Sequence, residues 1–229
     1  MTLQPCLTVD VYFDLICPWC LIGKRHLDAA LARWAHERPE VPVRVRWCAY
    51  PLLPAVPAAG LDYRAFYLAR LGDARAVATR RAQVQEAARA AGLELPLALE
   101  RIEVLPNTLA GHRLIQYAAR AHGAAAAGAL TEELFTRYFI AAQHIGDPEV
   151  LRAAADACGI RAPGPVHDDA PWLPPLAVPQ APPRWAGQGV PLFVFGGRHG
   201  VSGARPAAVL FDAMQQALAF APRDLAACG

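Results

Sequence analysis

At 229 residues, 55% hydrophobic and 18% charged, the chain is long enough for one large domain, or one with a sizeable insertion, and apolar enough to bury a core. Its net charge of +2 is spread without any block of like charges, which argues against a nucleic-acid or anionic-membrane partner. Six unevenly spaced cysteines do not make the framework of a secreted disulfide scaffold. Residues 1–6 carry neither a positive nor an apolar leader region, and no run of roughly 18 strongly apolar residues follows; a soluble, cytoplasmic protein is expected. Lys24 is the one lysine, which in so Ala-, Pro- and Gly-rich a chain reads as compositional bias.

Leu7, Val9, Val11 and Phe13 alternate with Thr8, Asp10 and Tyr12, the period of two that marks a strand. Pro18 then stands where a helix begins, a position that tolerates proline because the missing N–H would be unpaired anyway. Leu27, Leu31 and Trp34 recur at helical spacing until Pro39 and Pro42 end the helix. Val43, Val45 and Trp47, alternating with Arg44 and Arg46, give a second strand. The opening is strand, helix, strand, with a Cys pair at the strand-to-helix turn.

From Asp62 to Gly159 the pattern is helical, with no convincing strand. Asp62 caps a helix that stops near Gly72, and Asp73 one that stops at Gly92. Asn107 or Thr108 opens a third, ending around Gly123; Leu130, Leu134 and Tyr138 mark a fourth; Asp147-Pro148 begins a fifth, which Gly159 terminates. Residues 163–183 are too proline-rich for helix or central strand and read as an extended connector lying on the surface. Strand character returns at Leu192 to Phe195, Gly196-Gly197 reads as a two-residue turn, and Arg198 to Ser202 as the returning strand. Pro206 starts a last helix in which Val209, Leu210, Met214, Leu218 and Phe220 face a core. The expected fold class is α/β. Its sheet domain comprises residues 1–58 and 186–229, its helical insertion 59–162, and its Pro-rich connector 163–185.

Cys17-Pro18-Trp19-Cys20 is the feature that carries chemistry. At a helix N-terminus the first sulfur lies beside unpaired backbone N–H groups and the positive end of the helix dipole, which favour thiolate over thiol. Cys20 falls one turn on, within reach of Cys17. An exposed, attacking Cys17 and a resolving Cys20 are therefore expected. Zinc would need about four ligands, and neither a second C-x-x-C nor a His-x-x-x-His is present, while His26 alone completes nothing. A second feature is Val190-Pro191, just before the strand Leu192 to Phe195. Proline is acceptable at a strand's first residue, and beside a C-x-x-C a cis bond is the favoured reading.

Phe13 to Gly23 resembles the active-site segment of DsbA-like oxidoreductases, in particular the cytoplasmic FrnE-like branch. The resemblance continues at Trp47 to Pro54, at Leu105-Pro106-Asn107-Thr108 with His112-Arg113-Leu114, and at Gly189 to Val194 with Val201 to Ala204. It implies a thioredoxin-like fold with an inserted all-helical domain, Cys17 as nucleophile, Cys20 as resolving thiol and Pro191 cis. It also implies that Val190 pairs its backbone with substrate, and that Trp19, Tyr50, Asn107 and His112 line the cleft beside Pro18. For Tyr50, Asn107 and His112 a core or capping role stands equally open. No bound cofactor is implied beyond a Cys17–Cys20 redox disulfide, with glutathione a candidate co-substrate. The implied partner is a protein or small-molecule thiol or disulfide, with a homodimer left open. Two departures stand out: Pro171 to Pro183 precludes the helix expected before Gly189, and Cys228 lies in a short tail.

A related class, the 2-hydroxychromene-2-carboxylate isomerases and kappa-class glutathione transferases, resembles the chain around Asp14 and Trp19. That class typically carries Ser where Cys17 stands, which favours dithiol chemistry here. A non-catalytic thioredoxin-like binding module is a third reading, and it requires a buried and inert Cys17.

Overall fold

In the computed structural model, which describes residues 6–94, 96–181, 183–185 and 187–219, strand β1 (Leu7–Phe13), helix α1 (Pro18–Glu37) and strand β2 (Val43–Ala49) follow one another as expected. The middle of the chain gives β3 (Leu61–Asp62), α2 (Tyr63–Leu71), α3 (Ala74–Ala90), β4 (Val104–Leu105), α4 (Leu109–His122), α5 (Ala124–Phe139) and α6 (Pro148–Ala157). A 3-10 turn at Pro183–Trp185 precedes β5 (Leu192–Phe195), β6 (His199–Ser202) and α7 (Ala207–Ala219).

Four strands from the two chain ends form one mixed sheet in the order β2-β1-β5-β6, the α/β, thioredoxin-like arrangement. β1 and β2 are parallel, with Leu7 opposite Val43 and Phe13 opposite Ala49, and α1 supplies the crossover that a parallel pair needs. β5 runs antiparallel to β1, with Val11 opposite Phe193. As an inner strand, β1 is covered on both faces. Leu7, Val9, Val11 and Phe13 join one apolar core with Leu21 and Trp34 of α1 and Phe211 and Met214 of α7. That core runs on without a break into Leu130, Leu134 and Phe135 of α5, so the inserted helices pack directly on the sheet. Tyr12, with Cys48, Leu192 and Val194, forms a smaller cluster on the opposite face.

The capping residues act as the sequence implies. Asp62 accepts from the Ala65 N–H at 2.6 Å, Asp73 from Ala76 at 2.7 Å and Asp147 from Glu149 at 2.7 Å. Three details differ. β3 and β4 form a two-residue antiparallel ribbon where no strand was expected, separate from the main sheet and too short to leave a periodicity. The β5–β6 connection spans three residues, since Phe195 pairs with His199; Gly196 and Gly197 take φ of 56° and 68°, which glycine adopts without strain. Val209 is 40% exposed, because α7 turns Leu210, Phe211 and Met214 inward instead. Phe220 and Cys228 lie outside the described residues. No helix among the described residues is long and apolar enough to cross a membrane.

The connector, expected to lie on the surface, also sinks Val166, Ala170 and Leu173 into the core, and its anchoring follows from proline chemistry. Proline offers a carbonyl but no N–H, so donors must come from outside. Arg113 of α4 supplies them, donating to the carbonyls of Ala170 (3.0 Å), Leu173 (2.8 Å) and Pro174 (2.8 Å). Gln116 donates to the Ala177 carbonyl and accepts from its N–H. Farther on, Ala181 and Trp185 pack against the Tyr12 cluster, and the Tyr12 hydroxyl donates to the Gln180 carbonyl at 3.3 Å. Arg113→Ala should destabilise the protein by about 1.5–3 kcal/mol, the typical worth of hydrogen bonds from a charged donor. It should also open the connector to limited proteolysis; an unchanged cleavage pattern would contradict this anchoring.

Candidate active site

The end of β1 and the start of α1 set the two sulfurs. The Cys17 N–H donates to the Asp14 carbonyl at 3.1 Å, which closes a tight turn, and Cys17 becomes the N-cap of α1 with extended dihedrals (φ −92°, ψ 109°). Pro18 then occupies the first helical turn, and the Cys20 N–H donates to the Cys17 carbonyl at 2.9 Å. Both thiols are free and both are buried, Cys17 with 7% and Cys20 with 3% of its surface exposed. Cys17 is thus less exposed than the sequence suggested, because neighbouring segments close over it.

The two thiols are driven apart electrostatically. A hydrogen bond from the Cys20 thiol, aided by the Cys20 and Trp19 backbone N–H groups, holds Cys17 below the ordinary thiol value; burial and the Asp14 carboxylate oppose the shift. Burial pushes Cys20 well above that value, and the same Cys17 contact adds to the rise. The sequence pointed to backbone N–H groups as the source of acidity, whereas the largest contribution is the neighbouring thiol. The remaining free cysteines are poor competitors. Burial and Asp10 push Cys48 up to about 12, and burial raises Cys158 as well. Cys6 is disulfide-bonded.

The Val190-Pro191 bond is cis, and the Val190 carbonyl oxygen lies 3.8 Å from Cys17 Sγ. Gly23 in α1 makes this approach possible. A Cβ there would sit 3.0 Å from both the Pro191 ring and the Phe193 ring, closer than nine in ten real contacts. The missing side chain at Gly23 thus lets the Pro191 and Phe193 rings pack directly on α1.

Behind the pair lies Asp14, fully buried. Its carboxylate accepts from the N–H groups of Leu15 (2.8 Å) and Leu52 (2.7 Å), and His112 Nε2 lies 3.1 Å away. His112 is 1% exposed and meets Phe13 edge-on. It does not line the cleft, and it acts on the sulfurs only through Asp14. Asn107 also faces inward: its amide donates to the Val56 carbonyl at 2.6 Å and its oxygen accepts from the Leu109 N–H at 2.8 Å, fixing the entry to α4. Tyr50 lines a separate depression with Tyr12, Gln180 and Trp185, on the connector side.

The cleft next to Cys17 has a volume of about 530 Å³. Cys17, Pro18 and Trp19 form one wall, and Tyr63, Phe66, Tyr67, Arg70, Arg80 and Arg81 of α2 and α3 form the other. These helical residues escaped sequence reading. One signal was available: Val77, Arg81 and Val84 repeat at helical spacing, so an arginine interrupts an apolar stripe.

Comparison with known proteins fits this geometry. The DSBA-like thioredoxin domain family matches residues 8–164. A probable DsbA oxidoreductase from Streptomyces coelicolor superposes with a TM-score of 0.73 at 24% identity, covering 94% of this chain and 92% of its own. A 2-hydroxychromene-2-carboxylate isomerase superposes with a TM-score of 0.54 at 16% identity, covering 91% of this chain and 95% of its own. At these identities the likeness is one of fold. No curated protein matches the chain.

Three outcomes follow from the geometry. Cys20→Ala should move the Cys17 titration up toward an ordinary thiol, read by the pH dependence of alkylation; an unmoved profile would show that the thiol contact is inert. The folded Cys17 binds its proton less tightly than the unfolded chain does, so the reduced protein should gain stability as pH rises from the folded to the unfolded Cys17 pKa. Above that window the sign reverses, because Cys20 still holds its proton in the fold. Gly23→Val should cost about 1–3 kcal/mol by overpacking and slow Cys17 alkylation, since Pro191 must move. Wild-type stability and reactivity in that variant would contradict the close approach.

Proposed function

The chain belongs to the DSBA-like thioredoxin domain family, and on that premise we propose that it is a thiol–disulfide oxidoreductase working through Cys17 and Cys20. One observation carries the reading. Two thiols in a single helical turn are shifted in opposite directions, the first toward thiolate and the second toward thiol, beside a cis proline. A binding module has no use for that asymmetry.

In the reductive direction the Cys17 thiolate attacks one sulfur of a substrate disulfide. A Cys17–substrate S–S bond forms, the substrate S–S bond breaks, and the first substrate sulfur leaves as a thiolate that takes a proton from water. Cys20 then gives up its proton and attacks the Cys17 sulfur. The Cys17–Cys20 disulfide forms and the second substrate thiol leaves, so two electrons have passed from protein to substrate. Oxidation of a dithiol substrate is the reverse. Removal of the Cys20 proton is the costly part of resolution, because burial keeps Cys20 protonated. Pro18 and Trp19 line the cleft beside Cys17, and the Val190 carbonyl stands close enough to the sulfur for this backbone to meet a bound substrate.

Cys20→Ser should accumulate a mixed disulfide with glutathione or a model substrate, and Cys17→Ser should form none, as read by mass spectrometry. Cys6→Ser, Cys158→Ser and Cys228→Ser belong together in the background so that no other reactive thiol is introduced and trapping reports the pair. Equal trapping by the two variants would falsify the assignment of Cys17 as attacker. Turnover of a 2-hydroxychromene-2-carboxylate with glutathione, without reduction of insulin disulfides, would favour the isomerase reading instead.

A further inference from the structure

We infer that Arg70, Arg80 and Arg81 make the cleft beside Cys17 selective for small disulfides and thiols that carry carboxylate groups. The inference rests on the oxidoreductase reading and adds a substrate class to it. Sixteen residues line the cleft; three are arginines and none is acidic. Among the described residues none of the three arginines enters an ion pair, unlike Lys24, Arg25, Arg33, Arg46, Arg89, Arg137 and Arg152, which have carboxylate partners. Glu100 lines the neighbouring depression with Arg81 but does not pair with it. Arg81 Nε is buried without a hydrogen-bond partner, a donor whose desolvation nothing yet offsets.

Position ties the arginines to the chemistry. The Arg80 guanidinium lies 5.3 Å from the centre of the Trp19 ring, between the two cysteines in sequence. Tyr67 feels both the Cys17 charge and the opposing charges of Arg70 and Arg80, and Tyr63 feels Arg81. Cys17 and the three arginines thus line one cleft, with Tyr67 in the reach of both. Guanidinium groups bind carboxylates in forked, charge-assisted pairs, and the partly enclosed site strengthens them relative to water. A volume of about 530 Å³ lies in the range that holds a small molecule, which favours a low-molecular-weight peptide or acid over a folded partner. The Tyr63, Phe66 and Tyr67 rings supply apolar contact for the carbon skeleton between sulfur and carboxylate.

The reaction is unchanged by this selectivity. The same S–S bond breaks, and the leaving thiolate carries its carboxylate out past the arginines. Three probes of similar size and leaving group test the inference with the reduced full-length protein at low ionic strength: 3,3′-dithiodipropionate (anionic), 2-hydroxyethyl disulfide (neutral) and cystamine (cationic). Rates are normalised to those of dithiothreitol with each probe. The anionic probe should react at least about tenfold faster than the cationic one, as steering by a charged cleft allows, and added salt should shrink the ratio. In Arg80→Gln/Arg81→Gln the ratio should fall at least about fivefold. Arg70→Gln, on α2, should also lower the ratio. An unchanged ratio with an intact neutral rate overturns the charge selectivity and leaves the oxidoreductase standing. Loss of reaction with the neutral probe in the wild-type protein overturns the oxidoreductase itself. Circular dichroism of each variant confirms that a changed ratio is not unfolding.

Discussion

A carboxylate out of reach of water organises this site. Asp14 cannot stay buried unless its oxygens are satisfied, and the groups that satisfy them come from three parts of the chain: Leu15 at the start of the active-site turn, Leu52 after β2, and His112 on α4. Each contact fixes a segment. The turn that delivers Cys17, the loop that edges the cleft and the first helix after the β3–β4 ribbon are thereby held in register. The insertion is no appendage on a finished sheet, because one of its histidines completes the hydrogen bonding of the residue from which α1 is launched.

That placement also sets a tension. The Asp14 carboxylate raises the pKa of Cys17 as well as that of Cys20, so the thiolate forms against both its field and the loss of water. The compensation is local and directional. It comes from the Cys20 thiol and from the backbone N–H groups of Cys20 and Trp19 in the first turn of α1. The acidity of one sulfur therefore depends on its partner remaining protonated, and the burial that keeps Cys20 protonated serves Cys17 as well. In the proposed reaction a mixed disulfide at Cys17 would remove the contact that benefits from a protonated Cys20, so the second step would begin from a different balance.

Much of this was legible in the sequence. The alternation of Leu7 to Phe13, the capping aspartates Asp62, Asp73 and Asp147, and Pro18 at the first turn are local signals, read within a few residues of where they act. Val190-Pro191 was legible because a strand-leading proline beside a C-x-x-C has few uses. The partnership of Asp14 with His112 was not, since 98 residues separate them and neither has a local pattern that implies the other. Tyr50, Asn107 and His112, expected along one cleft, occupy three environments for the same reason: which face a residue meets is decided by tertiary packing. The arginine wall was hidden because α2 and α3 look like ordinary solvated helices until their placement over Cys17 is known. The sole lysine, read as compositional bias, has a structural role: Lys24 is 7% exposed and bridges Asp28 at 2.8 Å and Glu132 at 2.9 Å, a compact ammonium between two carboxylates.

Glu132 has a mechanical consequence. It holds Lys24 and Arg25 at once, so α5 is bolted to the helix that bears both cysteines, and the two move as one body. The opposite wall has no such bolt. α2 and α3 are held by packing instead: Tyr63, Val84 and Ala88 join the continuous core, and the Arg80 guanidinium lies over the Trp19 ring. The two sides of the cleft are therefore held by different forces: ion pairs behind the helix that bears the cysteines, apolar and cation–π contacts on the wall that bears the arginines.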